Sequence, residues 1–295
     1  MSRGALKRAV VLLAVLVFAP TLQAASRVEC SAVTSRTLKR AVRYCALLPP
    51  SYDRETSRRY PVLYYLHGLG DNEQSLVHGG GWSLVEDLRA KGRIGEFVIV
   101  TPDGDRSFYI NSRDGRERYH DFFLEEFIPA IERKYRARGT RAGRALAGTS
   151  MGGYGALRFA FSSPQKFSAV SAHSAALMEN LPPGLAAAPG IAGTRVSLLG
   201  TVFGTPLDRA FYERNSPITL ARRAAGLGRV KIYFDCGTED EYGFDAGAKA
   251  LHEVLDSRRM AHEFHLYPGG HGWSYVARHL DASLEFHSRA FGLTK

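Results

Sequence analysis

Short runs of consecutive apolar residues recur along this chain, and most are followed by a stretch with helical spacing. Tyr60–His67, Phe97–Pro102, Arg144–Ala147, Phe167–His173, Val230–Asp235 and Glu263–Pro268 are such runs. Unbroken apolarity over four to eight residues predicts strands covered on both faces, as in a parallel sheet. Between them, Trp82–Lys91, Tyr119–Tyr135, Tyr154–Ser162, Ala246–Ser257 and Trp273–Phe291 repeat their apolar positions at helical intervals. Ahead of the first strand, Val28–Thr34 and Arg40–Leu48 flank a polar turn near Arg36–Lys39 and read as a hairpin. The segment Leu181–Phe211 is rich in Gly, Pro and Ala, has the weakest pattern, and is expected to run over the top of the sheet. Alternating strands and helices predict an α/β fold with a mostly parallel central sheet and helices on both faces. The connections are short, so residues 25–295 read as a single domain.

In such a sheet, reactive groups belong in the loops at the carboxyl ends of the strands. The strand ending at Ala147 runs into Gly148-Thr149-Ser150-Met151-Gly152 and then into a helical stretch. A serine alcohol is a poor nucleophile unless it is exposed and deprotonated. A sharp strand-to-helix turn exposes it, and the flanking glycines let backbone pass close to backbone. Ser150 is the candidate nucleophile. A base must follow, and His271 lies in a Gly-rich loop after the last strand. An acid must orient that base. The strand ending at Asp235 is followed by Cys236-Gly237-Thr238-Glu239-Asp240-Glu241. Asp240 lies in the loop proper and is preferred, with Glu239 and Asp235 as fallbacks. Nucleophile, acid and base then follow one another in the chain order of the α/β-hydrolase fold. The Met151 N–H follows the nucleophile and can receive developing negative charge. The second donor is expected in His67-Gly68-Leu69-Gly70-Asp71, with the Leu69 N–H preferred and Gly68 beside it. His67, His265 and His279 are read as structural. His173 lies near the site but precedes the acid.

Composition bounds the rest. The chain has 295 residues, a formal net charge of +10, and 45% hydrophobic residues. Its bases are scattered and not interleaved with aromatics, which argues against a nucleic-acid partner. Residues 1–24 read as a signal peptide: Arg3, Lys7 and Arg8 precede an eleven-residue apolar run, Ala9–Ala19, too short to span a bilayer. Export would leave no membrane anchor and permits a disulfide. In the hairpin Cys30 and Cys45 fall opposite each other, and they are either bonded or buried as thiols. Cys236 is left over.

The pieces Leu48-Pro49-Pro50-Ser51-Tyr52, Arg59–Gly68, Arg106-Ser107-Phe108-Tyr109, Phe127-Ile128-Pro129 with Tyr135-Arg136, Gly148–Gly155, Asp235–Asp240 and Gly270-His271-Gly272-Trp273 together resemble the esterase D-like branch of the α/β-hydrolases. That branch includes S-formylglutathione hydrolases, feruloyl and acetylxylan esterases, and mycolyltransferases. The resemblance implies Ser150 as nucleophile, Asp240 as acid and His271 as base, with Leu69 and Met151 as oxyanion donors. It implies no metal or organic cofactor. Together with the signal peptide, which points to a secreted or periplasmic protein, it implies a serine carboxylesterase acting through an acyl-enzyme on short-chain acyl esters, either small molecules or polysaccharide-linked. The alternatives are an S-formylglutathione hydrolase-like thioesterase and an acyltransferase of the mycolyltransferase type. Phe108, Tyr109, Trp82 and Trp273 are candidates to line the substrate pocket or to pack the core. Presence of all three reactive residues argues against an idle binding protein. The oligomeric state is left open.

Overall fold

The computed structural model describes residues 26–179 and 199–294. The expected signal peptide and most of the expected excursion at Leu181–Phe211 lie outside the described residues. Eight strands form one sheet: β1 (Arg27–Ser35), β2 (Arg40–Leu48), β3 (Val62–Leu66), β4 (Val98–Pro102), β5 (Arg144–Thr149), β6 (Ala169–His173), β7 (Lys231–Gly237) and β8 (Glu263–Tyr267). Their order across the sheet is β1-β2-β4-β3-β5-β6-β7-β8. β1 and β2 run antiparallel to each other and β2 antiparallel to β4, while every pair from β4 to β8 is parallel.

Residues alternate between two apolar layers, as the pleat requires. Val62, Tyr64 and Leu66 of β3 join the layer built with helix α5 (Met151–Ser162), while Leu63 and Tyr65 face the layer built with α2 (Gly81–Ala90) and α9 (Trp273–Ala290). β3, β4 and β6 are wholly buried, which is why their sequence is apolar at both parities apart from Thr101, Ser171 and His173. Glu29–Ala46 and Cys30–Cys45 are directly opposite in the hairpin register, and Cys30 and Cys45 are joined by a disulfide. Cys236 is a buried free thiol.

The stretch Tyr119–Tyr135 departs from the single regular helix its spacing predicts. It comprises a turn α3 (Tyr119–Asp121), a π-helical segment Phe122–Phe127, and α4 (Ile128–Lys134). Pro129 has no N–H to give the carbonyl four residues back, and its ring crowds that carbonyl. The wider turn absorbs the conflict, and Phe122, Phe123 and Phe127 all stay buried. Two helices had no clear apolar period: α6 (Arg209–Asn215) and α7 (Pro217–Arg223). Their starts were nonetheless marked. Asp208 caps α6 by accepting from the Phe211 N–H at 2.8 Å, and Pro217 occupies the first position of α7.

Candidate active site

Four loops converge at the carboxyl ends of β3, β5, β7 and β8. Ser150 sits between β5 and α5 with φ 54° and ψ −116°, a left-handed conformation that a non-glycine residue adopts at a cost. Its N–H donates to the His173 carbonyl at 2.9 Å, and its carbonyl accepts from Tyr154 and Ala176, both at 3.0 Å. The turn is possible because its flanks carry no side chains. A Cβ on Gly152 would lie 1.9 Å from the Leu66 carbonyl oxygen, and one on Gly148 would lie 2.3 Å from that of Gly152. Both obstacles are backbone and cannot swing aside. Gly152→Ala is therefore expected to lose the soluble folded protein, or to leave it without a native near-ultraviolet circular dichroism spectrum. A well-folded, fully active variant would contradict the contact.

The His271 ring lies next to this alcohol. Its Nε2 is 2.9 Å from Ser150 Oγ, and its Nδ1 is 2.8 Å from Asp240 Oδ2. With Nδ1–H donating to the carboxylate, Nε2 presents its lone pair to the serine hydroxyl. The side chain of Asp240 is fully buried. Burial pushes its carboxyl pKa up, but the His271 ring and the Tyr242 and Phe244 N–H groups outweigh this and hold it below the usual value. Those N–H groups donate to Oδ1 at 3.0 and 3.4 Å, and the Cys236 thiol points at Oδ2 at 3.6 Å. The acid loop and the histidine loop are tied together by backbone: Thr238 N–H to Tyr267 O and Glu239 N–H to Gly269 O, each 2.9 Å.

Of the other acids, Glu239 is exposed, and Glu241 and Asp235 are engaged elsewhere. Glu241 accepts the His271 backbone N–H at 2.6 Å. Asp235 points into the core, where Oδ1 accepts from the Tyr275 hydroxyl at 3.0 Å and Oδ2 lies 2.8 Å from His173 Nδ1. His173 in turn places Nε2 2.8 Å from Ser283 Oγ. Asp235, His173 and Ser283 thus repeat the three residue types of the outer site, but all three are buried. His173 meets the outer site through its carbonyl, which accepts the Ser150 N–H.

Leu69 follows β3 and lines the same cleft as Ser150. Neither the Leu69 nor the Met151 N–H donates to a backbone acceptor among the described residues. For Met151 this follows from its place in the first turn of α5, where an N–H has no intrahelical partner. The Leu69 loop is held from behind. Gly104 N–H donates to His67 Nε2 at 2.7 Å, which leaves Nδ1–H to donate to the Gly68 carbonyl at 2.8 Å. The Tyr109 hydroxyl donates to the His67 carbonyl at 3.1 Å. His67 is a loop-fixing residue, as the sequence indicates.

The cleft above Ser150 has a volume of about 410 Å³. Tyr65, Leu76, His78 and Trp273 line it, and the Trp273 indole N–H is fixed on the Gly79 carbonyl at 2.5 Å. Of the other aromatics singled out from the sequence, Trp82 packs against the core and Phe108 and Tyr109 are buried within it. Two rings that sequence reasoning missed stand edge-on to His271: Tyr242 at 4.7 Å and Phe244 at 5.4 Å between centroids. Their position two and four residues beyond the acid was the available signal.

The Esterase family model matches residues 35–287. An esterase of Mycobacterium tuberculosis is 32% identical over 242 residues, covering 76% of this chain and 51% of that one. The chain therefore spans about half the length of that curated relative. An acetyl esterase of Caldicellulosiruptor saccharolyticus is 24% identical over 263 residues, covering 86% of this chain and 96% of the other. Among solved structures, a ferulic acid esterase superposes with a TM-score of 0.77 at 29% identity, covering 90% of this chain and 99% of its own.

Proposed function

The chain belongs to the Esterase family within the α/β-hydrolases, and on that basis we propose that it is a carboxylic ester hydrolase, an exported serine esterase that cleaves esters of short or hydroxycinnamoyl acids through Ser150, His271 and Asp240. The observation that carries the proposal is the unbroken chain of contacts from Asp240 through His271 to Ser150 Oγ, at 2.8 and 2.9 Å.

In this reading His271 Nε2 takes the Ser150 proton as Oγ bonds to the ester carbonyl carbon. The carbonyl oxygen gains the negative charge and faces the Met151 and Leu69 N–H groups. Fixed donors of this kind typically contribute about 10²–10³ in rate each. The imidazolium then protonates the departing alcohol, leaving an acyl group on Ser150. Water, deprotonated by the same imidazole, releases the acid and restores the serine. Asp240 stays ionised throughout and stabilises the cationic ring.

The acyl preference is supported by the cleft, whose 410 Å³ and Trp273 wall suit a compact or planar acyl group better than a long alkyl chain. The acetyl esterase and ferulic acid esterase likenesses point the same way. Export is supported by the basic-then-apolar start of the sequence and by the Cys30–Cys45 disulfide, a bond that persists in oxidising compartments. The test is a series of p-nitrophenyl esters from acetate to palmitate, with methyl ferulate alongside. Acetate and ferulate are expected to exceed palmitate in kcat/KM by at least about tenfold, the penalty of one poorly seated group. A palmitate optimum would overturn the acyl assignment.

A further inference from the structure

Away from the cleft, three side chains converge where α8 (Phe244–Ser257) gives way to β8. His252 and Asp256 are one turn apart on the last part of α8 and so share a face. His262 immediately precedes β8 and reaches back to them. His252 Nδ1 lies 2.8 Å from His262 Nε2, and Asp256 brings its two oxygens within 3.5 Å of His252 Nε2 and 3.9 Å of His262 Nε2. One donor atom from each residue falls within 4.8 Å of the others.

We propose that His252, Asp256 and His262 form a binding site for a divalent transition-metal ion of the zinc, nickel or copper type. Four observations carry this. The donors are two imidazoles and a carboxylate, the set that such ions prefer, whereas calcium and magnesium want oxygens alone. The His262 side chain is 4% exposed, so a buried nitrogen is aimed at the cluster. Its Nδ1–H donates to the Met260 carbonyl at 2.7 Å, which fixes Nε2 as the lone-pair nitrogen in the way outer partners orient metal-binding histidines. The rings are also held by stacking, His252 on Phe264 at 4.7 Å and His262 on Phe234 at 5.8 Å between centroids.

Tetrahedral zinc at its usual distance from imidazole sets the two nitrogens about 3.3 Å apart. The gap of 2.8 Å must therefore widen by about half an ångström. His252 can supply that movement, since its side chain is 37% exposed and that of Asp256 is 64% exposed. A position left over takes water. The ion would clip the end of α8 to the start of β8. It would act on stability and not on turnover, because β8 runs for five residues, about 16 Å, between this corner and the loop of His271.

The test is zinc titration of the intact protein, read by calorimetry and by thermal midpoint, with ester hydrolysis followed in parallel. One equivalent of zinc is expected to bind. At about a hundredfold excess over Kd it should raise the midpoint by roughly 5 °C, while magnesium and calcium leave it unchanged. Cobalt should give a d–d absorption band of reduced symmetry. His252→Ala should weaken zinc binding at least tenfold and abolish the shift, Asp256→Asn should weaken it less, and both variants should hydrolyse p-nitrophenyl acetate at the wild-type rate. Absence of binding up to millimolar zinc overturns the assignment. So does an undiminished shift in His252→Ala, or zinc that inhibits hydrolysis equally in wild type and variant, which would place the ion on Asp240 and His271.

Discussion

Replacing Ser150 with alanine is expected to lower kcat on p-nitrophenyl acetate by about 10⁴–10⁶, with KM little changed. Removing the nucleophile from a linked set costs nearly as much as removing the whole set, because the remaining members have nothing to activate. His271→Ala should fall in the same range for the same reason. The Met151 and Leu69 N–H groups and the cleft remain in both variants, so a residual acceleration over water should persist. A fluorophosphonate probe should label the wild-type protein at Ser150 and fail on Ser150→Ala. Hydrolysis within tenfold of wild type in Ser150→Ala, or labelling of another residue, would remove this alcohol from the reaction.

The second large effect separates the two buried aspartates. Asp240→Asn should reduce kcat by about 10⁴, since an amide can present N–H to His271 Nδ1 and favour the wrong tautomer. Asp235→Asn should leave kcat within about tenfold, because Asp235 faces Tyr275 and His173 and not the reactive ring. Its cost should appear as a lower unfolding midpoint. The reverse ranking would make Asp235 the orienting acid. Linkage gives Asp240 a second signature. Its folded pKa is held below the usual carboxyl value, chiefly against burial by the His271 ring and two backbone N–H groups. The stability this supplies is fully present above about pH 4, where the unfolded carboxyl ionises, and drains away as pH falls through the folded value. The gap in unfolding free energy between wild type and Asp240→Asn should therefore narrow as urea titrations move from pH 7 toward pH 3.

The parallel strands were legible because burial on both faces leaves few polar positions to interrupt them, and none in Val62-Leu63-Tyr64-Tyr65-Leu66. Ser150 was legible for a related reason: Gly148 and Gly152 are required by backbone contact and leave a mark in the sequence. The acid was not unique. Asp235, Glu239, Asp240 and Glu241 differ in sequence by a few positions, and only the pleat and the turn after Gly237 decide which carboxylate meets the His271 ring. Asp235, still on β7, turns inward; Glu241 meets the His271 backbone instead. The π-helical turn hid because Phe122, Phe123 and Phe127 fit a regular helix nearly as well, and the conflict comes from Pro129 two residues beyond. The pairing of His252 with His262 depends on how α8 packs against the start of β8, which no local spacing records.

Among the described residues the outermost strand, β1, pairs on one side only, and Cys30–Cys45 fastens it to its neighbour. An unguarded rim of this kind offers a ladder of unused amide and carbonyl groups to any passing polypeptide. The cross-link keeps that ladder from peeling off and recruiting other molecules. Made in a reducing cytosol, the same polypeptide would fold without its clasp, and its losses there would come by self-association through the hem of the sheet.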